Sequence, residues 1–87
     1  MTTKPPAPVA GFPPDSLEKI AYSAVADIPA REPNDTNRLG YNVWAWLKDR
    51  KGTLEQAIRS AGFRTDLEPE KVVALVKERL RERGIPL

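Results

Sequence analysis

Two aromatic and two basic side chains recur at spacings of three or four residues in the segment 41–51. They are Tyr41, Trp44, Lys48 and Lys51. Because an α-helix turns by about 100° per residue, these side chains would share one helix face. Tyrosine and tryptophan are favoured anchors of protein interfaces, whereas aromatic rings interleaved with lysine also stack on nucleic-acid bases. The pattern therefore predicts a binding surface, which we call the aromatic-basic face.

A second stripe in the same segment is apolar. Leu39, Val43, Trp46 and Leu47 lie within about 100° of one another around a helix, so we expect them to face a core. Trp44 is about 200° from Trp46, and one core stripe cannot easily accommodate both rings. We therefore expect Trp46 in the core and Trp44 near the surface. The alternative is that Trp44 packs beneath a neighbouring element and that the lysines are only solvated.

The residue types that usually perform catalysis are missing from the chain. There is no cysteine and no histidine, which removes disulfides, thiolate sites, the usual general base and the commonest metal ligand. The five glycines are isolated, so no glycine-rich phosphate loop is present. The carboxylates are scattered, without a pair that spacing alone would place on one concave face. We predict no catalytic residue, no metal, no cofactor and no small-molecule substrate, and therefore not an enzyme.

The leading functional hypothesis is a small non-catalytic binding or regulatory module that engages a protein partner, or a second copy of itself, through the aromatic-basic face. The alternative is a small helix-turn-helix-like DNA-binding protein that uses the second and third helices around a short turn at residues 51–52. Glutamine and arginine can hydrogen-bond to base edges, and lysine can neutralise phosphates. The nucleic-acid-binding residues would be Lys48, Arg50, Lys51, Gln56, Arg59 and Arg64.

Residues 52–63 read Gly-Thr-Leu-Glu-Gln-Ala-Ile-Arg-Ser-Ala-Gly-Phe. This segment resembles the first helix of helix-turn-helix domains, including those of phage small terminase subunits, where an alanine-rich helix ends in Ala-Gly-aromatic. The resemblance implies a recognition helix after the third helix. That helix begins Glu68-Pro69-Glu70, which would bring carboxylates towards the phosphates, so the second and third helices fit the DNA hypothesis better.

Length and charge limit the remaining possibilities. The 87 residues make one domain at most, and 14 basic residues against 12 acidic ones give a net charge of +2, too balanced to indicate a polyanionic partner. A hydrophobic content of 40% with 30% charged residues is typical of a soluble globular domain. No apolar run approaches the roughly 20 residues that span a bilayer, and no signal peptide follows Met1. We expect no membrane association and a cytoplasmic location.

Apolar residues at spacings of three and four predict an all-α fold, a compact bundle of four short helices. The first helix would be capped by Asp15, with Glu18 completing a capping box, and would end at Pro29. The second would span residues 36–50 and begin at a cap formed by Asp35 or Thr36.

The sequence signals for the starts and ends of the last two helices are clearer. Thr53 and Gln56 form a capping box at the start of a short third helix, and Gly62 occupies the position of a left-handed C-terminal cap. Pro69 is a favourable first residue for the fourth helix, which Gly84 would end. The predicted core residues are Leu17, Ile20, Ala24, Ile28, Leu39, Val43, Trp46, Leu47, Leu54, Ile58, Phe63, Val72, Val76 and Leu80.

Two further features concern packing. Residues 1–14 contain five of the nine prolines, which predicts a flexible or extended arm in front of a single helical domain, 15–87. Val9 and Phe12 are apolar enough to dock on that domain, for example against an exposed tryptophan. Gly40 lies inside the second helix, where glycine costs up to about 1 kcal/mol relative to alanine. We therefore expect a close helix–helix approach at Gly40.

Overall fold

The computed structural model describes residues 16–62 and 66–87, and every regular element in these ranges is helical. The four helices are α1 (Leu17–Val25), α2 (Pro33–Asp49), α3 (Leu54–Arg59) and α4 (Pro69–Glu82). The prediction of an all-α bundle of four short helices is confirmed. The proline-rich arm, with Val9, Phe12 and Asp15, lies outside the described residues, as do Phe63 and Arg64.

The start of α1 is one residue later than the predicted cap. Ser16 has an extended backbone conformation and is the N-cap, and its hydroxyl accepts a hydrogen bond of 3.1 Å from the Lys19 amide. Serine and aspartate are nearly equal as N-caps, so a sequence with Asp15 next to Ser16 does not decide between them. The helix ends at Val25 rather than at Pro29, and a turn keeps Ile28 in the core.

The start of α2, in contrast, is earlier than predicted. Pro33 is its first residue, a position where the missing amide and the restricted φ of proline are both favourable. The prediction of a cap at Asp35 or Thr36 was therefore wrong, because both lie inside the first turn of the helix. Asp35 is fully buried, and its carboxylate has a different role in packing.

The C-terminal end of α2 is formed by an unusual backbone conformation. Arg50 has φ of 56° and ψ of 31°, and its amide donates to the Trp46 carbonyl at 2.6 Å. A left-handed residue other than glycine costs about 1–2 kcal/mol. Two side-chain contacts help to offset that cost: the guanidinium lies 4.5 Å from the centre of the Trp46 ring and donates to the Pro86 carbonyl at 3.0 Å.

The predicted signals around α3 and α4 are confirmed. Thr53 and Gln56 form both hydrogen bonds of a capping box. Gly62 has φ of +65° and Gly84 has φ of +82°, so both take the left-handed conformation that glycine allows. Pro69 is the first residue of α4.

Gly40 allows α1 and α2 to pack closely against each other. A Cβ atom at this position would lie 2.7 Å from Cδ2 and 2.9 Å from Cε2 of Tyr22. Such distances are far below the usual separation of about 3.5–4.0 Å between carbon atoms in contact. The expected helix–helix approach at Gly40 is therefore confirmed, and the neighbour is the ring of Tyr22.

The core lies between helices that pack in a closed order, with α2 against α1 and α3, and α4 against α1 and α3. Most predicted core residues are buried, but Ile20 and Trp46 are only partly buried against the core. Leu17 was predicted wrongly: it is the first residue of α1 and is 36% exposed. The buried hydrophobic residues that the predicted core omitted are Ala21, Val25, Ala61 and Val73.

Three contacts show how the helix ends are arranged. Along α4, Arg79 pairs with Asp27 just after the C-terminal end of α1, at 3.3 Å, whereas Arg83 donates to the Ser23 carbonyl at 3.4 Å. Further along the chain, the Pro86 carbonyl accepts from Arg50. The end of α4 and the residues that follow it therefore connect the C-terminal end of α1 with the C-terminal end of α2.

Arg38 connects the start of α2 to the C-terminal end of α3. Its Nη2 donates to Oδ1 of the buried Asp35 at 2.6 Å, and its Nε donates to the Ala61 carbonyl at 2.9 Å. A third, longer hydrogen bond of 3.5 Å reaches the Gly62 carbonyl. One guanidinium thus neutralises a buried carboxylate and satisfies carbonyls that a helix end leaves without partners.

We predict that Gly40→Ala lowers the free energy of unfolding by about 1 kcal/mol. Overpacking costs about 1–3 kcal/mol, whereas the gain in helix propensity is at most about 1 kcal/mol. In a Tyr22→Ala background the ring is gone, and the same substitution should be stabilising. Urea unfolding of the four proteins in this double-mutant cycle checks the sign reversal. Destabilisation in both backgrounds would contradict the proposed contact.

Arg38→Ala should destabilise the fold by about 2 kcal/mol, because hydrogen bonds to charged groups contribute about 1.5–3 kcal/mol and Asp35 would stay buried without this partner. Arg31→Ala is the matched control, since Arg31 and Asp66 form a 3.5 Å pair with side chains 66% and 78% exposed. That substitution should change stability by less than about 0.5 kcal/mol. If thermal unfolding shows the same loss of stability in Arg38→Ala and Arg31→Ala, then Arg38 acts only as a surface charge.

Candidate functional site

Three of the four residues of the predicted aromatic-basic face lie together on α2. The ring centres of Tyr41 and Trp44 are 5.4 Å apart with an angle of 56° between the ring planes. Nζ of Lys48 lies over the Trp44 ring, 3.9 Å from its centre, which is within cation–π distance. Successive spacings of three and four residues produce this row, which we call the ridge: Tyr41, Trp44 and Lys48.

The ridge is open to solvent on one side and supported on the other. Tyr41 is 54% exposed, whereas Trp44 is partly buried and packs against the core. Trp46 is also partly buried, and its indole Nε1 donates to the Gly52 carbonyl at 3.3 Å. Each tryptophan is therefore covered over one part of its surface and exposed over the rest.

Lys51 does not lie with the other three residues. The left-handed backbone at Arg50 ends the helix, so the helical spacing that places Lys48 no longer applies to Lys51. Lys51 instead lines a groove of about 350 Å³ on the α3 side of α2, together with Trp46 and Gln56.

Tyr22 of α1 adds a third ring, which helical spacing on α2 does not predict. Its ring lies against Gly40, the residue before Tyr41. Burial raises the pKa of the Tyr22 phenol above its usual value of 10.0, and the nearby Glu18 and Tyr41 add to this rise. Glu18 and Tyr22 are four residues apart on α1 and share a helix face. We call the ridge together with Tyr22 and Glu18 the composite face.

Of the five described residues proposed for DNA binding, three have side chains that contact other parts of the protein. Gln56 accepts a hydrogen bond of 3.3 Å from the Thr53 amide through its side-chain oxygen, as part of the capping box. Arg50 donates to the Pro86 carbonyl, and Lys48 lies over Trp44. Arg59 is exposed on α3.

The groove between α2 and α3 carries both signs of charge. Asn42 donates to the Ala57 carbonyl at 2.9 Å and to the Ser60 hydroxyl at 3.3 Å, so it links the two helices across the groove. Asp49 lines the groove beside Lys51. A carboxylate at this position opposes the approach of a phosphate backbone.

Two kinds of feature are absent from the described ranges. Within residues 16–62 and 66–87, no group of three or more Asp or Glu side chains could hold a metal ion. None of the helices found there combines the length and the apolar character needed to cross a membrane.

The chain matches no protein-family model, no curated protein sequence and no solved structure.

We predict that Tyr22→Phe makes the protein less sensitive to alkaline pH. With a raised pKa in the folded state, the phenol ionises first in the unfolded state, so stability falls as the pH rises above about 10. Phenylalanine removes this contribution. Urea unfolding between about pH 8 and about pH 11 should show a shallower decline than in the wild type.

Tyr41→Phe is the matched comparison for this experiment. Its ring is more than half exposed, and burial is the largest cause of the raised pKa of Tyr22. Tyr41→Phe should therefore reduce the alkaline decline much less than Tyr22→Phe does. The assignment is contradicted by a Tyr22→Phe protein that loses stability with pH as steeply as the wild type.

Proposed function

We propose that this protein is a non-catalytic binding module that engages a protein partner through the composite face. The observation that carries the proposal is the ridge itself, in which an exposed Tyr41 lies against Trp44 and Lys48 covers the same indole. The chain also has no histidine and no cysteine, the residues most used in catalysis.

The ridge has the properties of an interface anchor. Tyrosine and tryptophan supply large contact areas while few rotatable bonds are ordered on binding. Trp44 is already held on two sides, by the core below and by Lys48 above, so binding would cost little further side-chain entropy. A pre-ordered aromatic anchor next to an exposed tyrosine is typical of the residues that dominate binding energy.

The rim of the composite face carries charges of both signs. Lys48 lies at one end of the ridge, and Glu18 on α1 is close enough to influence Tyr22. Charges at the rim of an interface mainly affect the association rate and the choice of partner. This arrangement favours a partner with an apolar centre and a mixed polar surround over a uniformly anionic one.

The DNA-binding alternative has less support. Gln56 uses its side-chain oxygen within α3, and Arg50 donates to Pro86. The helix that would enter the major groove, α3, has only 6 residues and begins Leu54-Glu55, so a carboxylate lies in its first turn. The first turn of a recognition helix lies close to the bases and phosphates. Glutamate is unfavourable there, because its carboxylate repels the phosphates.

The proposal is tested by capture of binding proteins from a native cell extract on the immobilised full chain. Tyr41→Ala should weaken recovery of the specific partner by about 30-fold, since interface anchors contribute about 2 kcal/mol or more. Arg59→Ala, an exposed change on α3, is the control and should leave recovery unchanged. Equal recovery with wild type and Tyr41→Ala would exclude the composite face as the contact surface.

Two other kinds of partner, a second copy of the chain and DNA, would give different results in further experiments. Sedimentation that depends on protein concentration, and that Tyr41→Ala abolishes, would identify the partner as a second copy of the chain. Titration with a random-sequence DNA duplex, followed by ¹⁵N NMR, should leave the spectrum unchanged at low salt. Shifts across residues 48–60 that disappear at physiological salt would instead support DNA binding, because counterion release makes phosphate contacts salt-dependent.

A further inference from the structure

The chain enters the bundle beside the composite face. Ser16, the first described residue, lies six residues before Tyr22 on α1, which is about 9 Å along the helix axis. Tyr22 contacts Gly40, the residue before Tyr41. The described part of the chain therefore begins close to Glu18 and Tyr22, the two members of the composite face on α1.

We infer that the composite face recognises proline-rich extended segments, and that residues 5–14 of this chain are its intramolecular ligand. This inference rests on the proposed function, because it names the chemistry that the same face recognises. An external partner with a proline-rich segment would then compete with the arm for the face.

The geometry of the ridge suits a polyproline helix. Proline-rich segments bind in aromatic-lined grooves, because the extended helix is already formed and loses little entropy on binding. Tyr41 and Trp44, with ring centres 5.4 Å apart and an angle of 56° between the ring planes, form two adjoining aromatic surfaces against which a pyrrolidine ring can pack. The exposed phenol of Tyr41 can donate to a backbone carbonyl, and such carbonyls have no internal partner in a polyproline helix.

The composition of the arm matches this face. Residues 5–14 contain prolines at positions 5, 6, 8, 13 and 14, with Val9 and Phe12 between them. Residues 1–14 contain one lysine and no carboxylate, so the arm meets Glu18 without repulsion of like charges.

The arm is also long enough. At a rise of about 3.1 Å per residue, ten residues of polyproline helix reach about 30 Å. The distance along α2 from Trp44 to Tyr41 is only about 5 Å. A ten-residue extended segment is therefore longer than the whole ridge.

Attachment makes even a weak contact significant. A short tether gives an effective concentration in the millimolar range, so a contact with a Kd of about 1 mM would be formed about half of the time. External proline-rich peptides would then bind about twofold more tightly when the arm cannot dock.

The absence of cysteine in the chain provides a direct test, since Thr3→Cys creates a single site for a nitroxide spin label on the full chain. The nitroxide broadens NMR signals of nearby protons. Docking predicts strong broadening of the Trp44 indole and of the amides of residues 41–48, and little broadening across α3. Trp46→Phe assigns the indole signal of Trp44.

The matched control keeps the length of the tether and removes the ligand. It carries Thr3→Cys together with Pro5→Ser, Pro6→Ser and Pro8→Ser, which should restore the signals of residues 41–48 while the remaining spectrum confirms an unchanged fold. Broadening that is equal in the two arms, or strongest on α3 or α4, would overturn the inference.

The two proposals fail separately. If the serine arm and the native arm give equal broadening but Tyr41→Ala still abolishes capture of a partner, the composite face is an interface and the arm is not its ligand. If the broadening is specific but no partner depends on Tyr41, the arm is a structural cover and the proposed function is wrong.

Discussion

The close packing of α1 against α2 depends on the absence of a side chain at one position. Gly40 has no side chain, and the space that a Cβ atom would fill is occupied by the ring of Tyr22. This contact determines which part of α1 packs against which part of α2. It also places Tyr22 beside Tyr41, so that two helices contribute rings to one surface. The composite face is thus a product of helix packing, and neither helix would form it alone.

Arginine side chains complete the regions where helices end. Arg38 binds the carbonyls at the end of α3 and the buried carboxylate of Asp35, and Arg50 ends α2 in a left-handed conformation held by Trp46 and Pro86. Each guanidinium supplies several donors in a rigid plane, which lysine cannot reproduce. The charges of these two arginines therefore contribute to structure, which leaves them less available to a polyanionic ligand.

The sequence predicts well those features that depend on a few neighbouring residues. The capping box of Thr53 and Gln56 and the first helical residue Pro69 could be identified because each signal lies within one helical turn. The predicted starts of α1 and α2 were wrong, since Ser16 and Pro33 compete with neighbours that are almost equally suitable.

The candidate site likewise contains residues that local sequence predicts and residues that it does not. Tyr41, Trp44 and Lys48 follow from helical spacing alone, and the structure brings them together. Lys51 does not join them, because the position at which α2 ends depends on Arg50, whose left-handed conformation is rare outside glycine and has no local sequence signal. Tyr22 was missed because its proximity to Tyr41 depends on how two helices pack.

The contact between Gly40 and Tyr22 has a consequence for sequence evolution. A side chain can be accepted at position 40 only if the residue at position 22 becomes smaller or turns away. The two positions should therefore vary together among proteins that share this fold, as residues in direct contact do. A lineage that replaces Gly40 would lose the third ring of the composite face at the same time, so packing and recognition would change together.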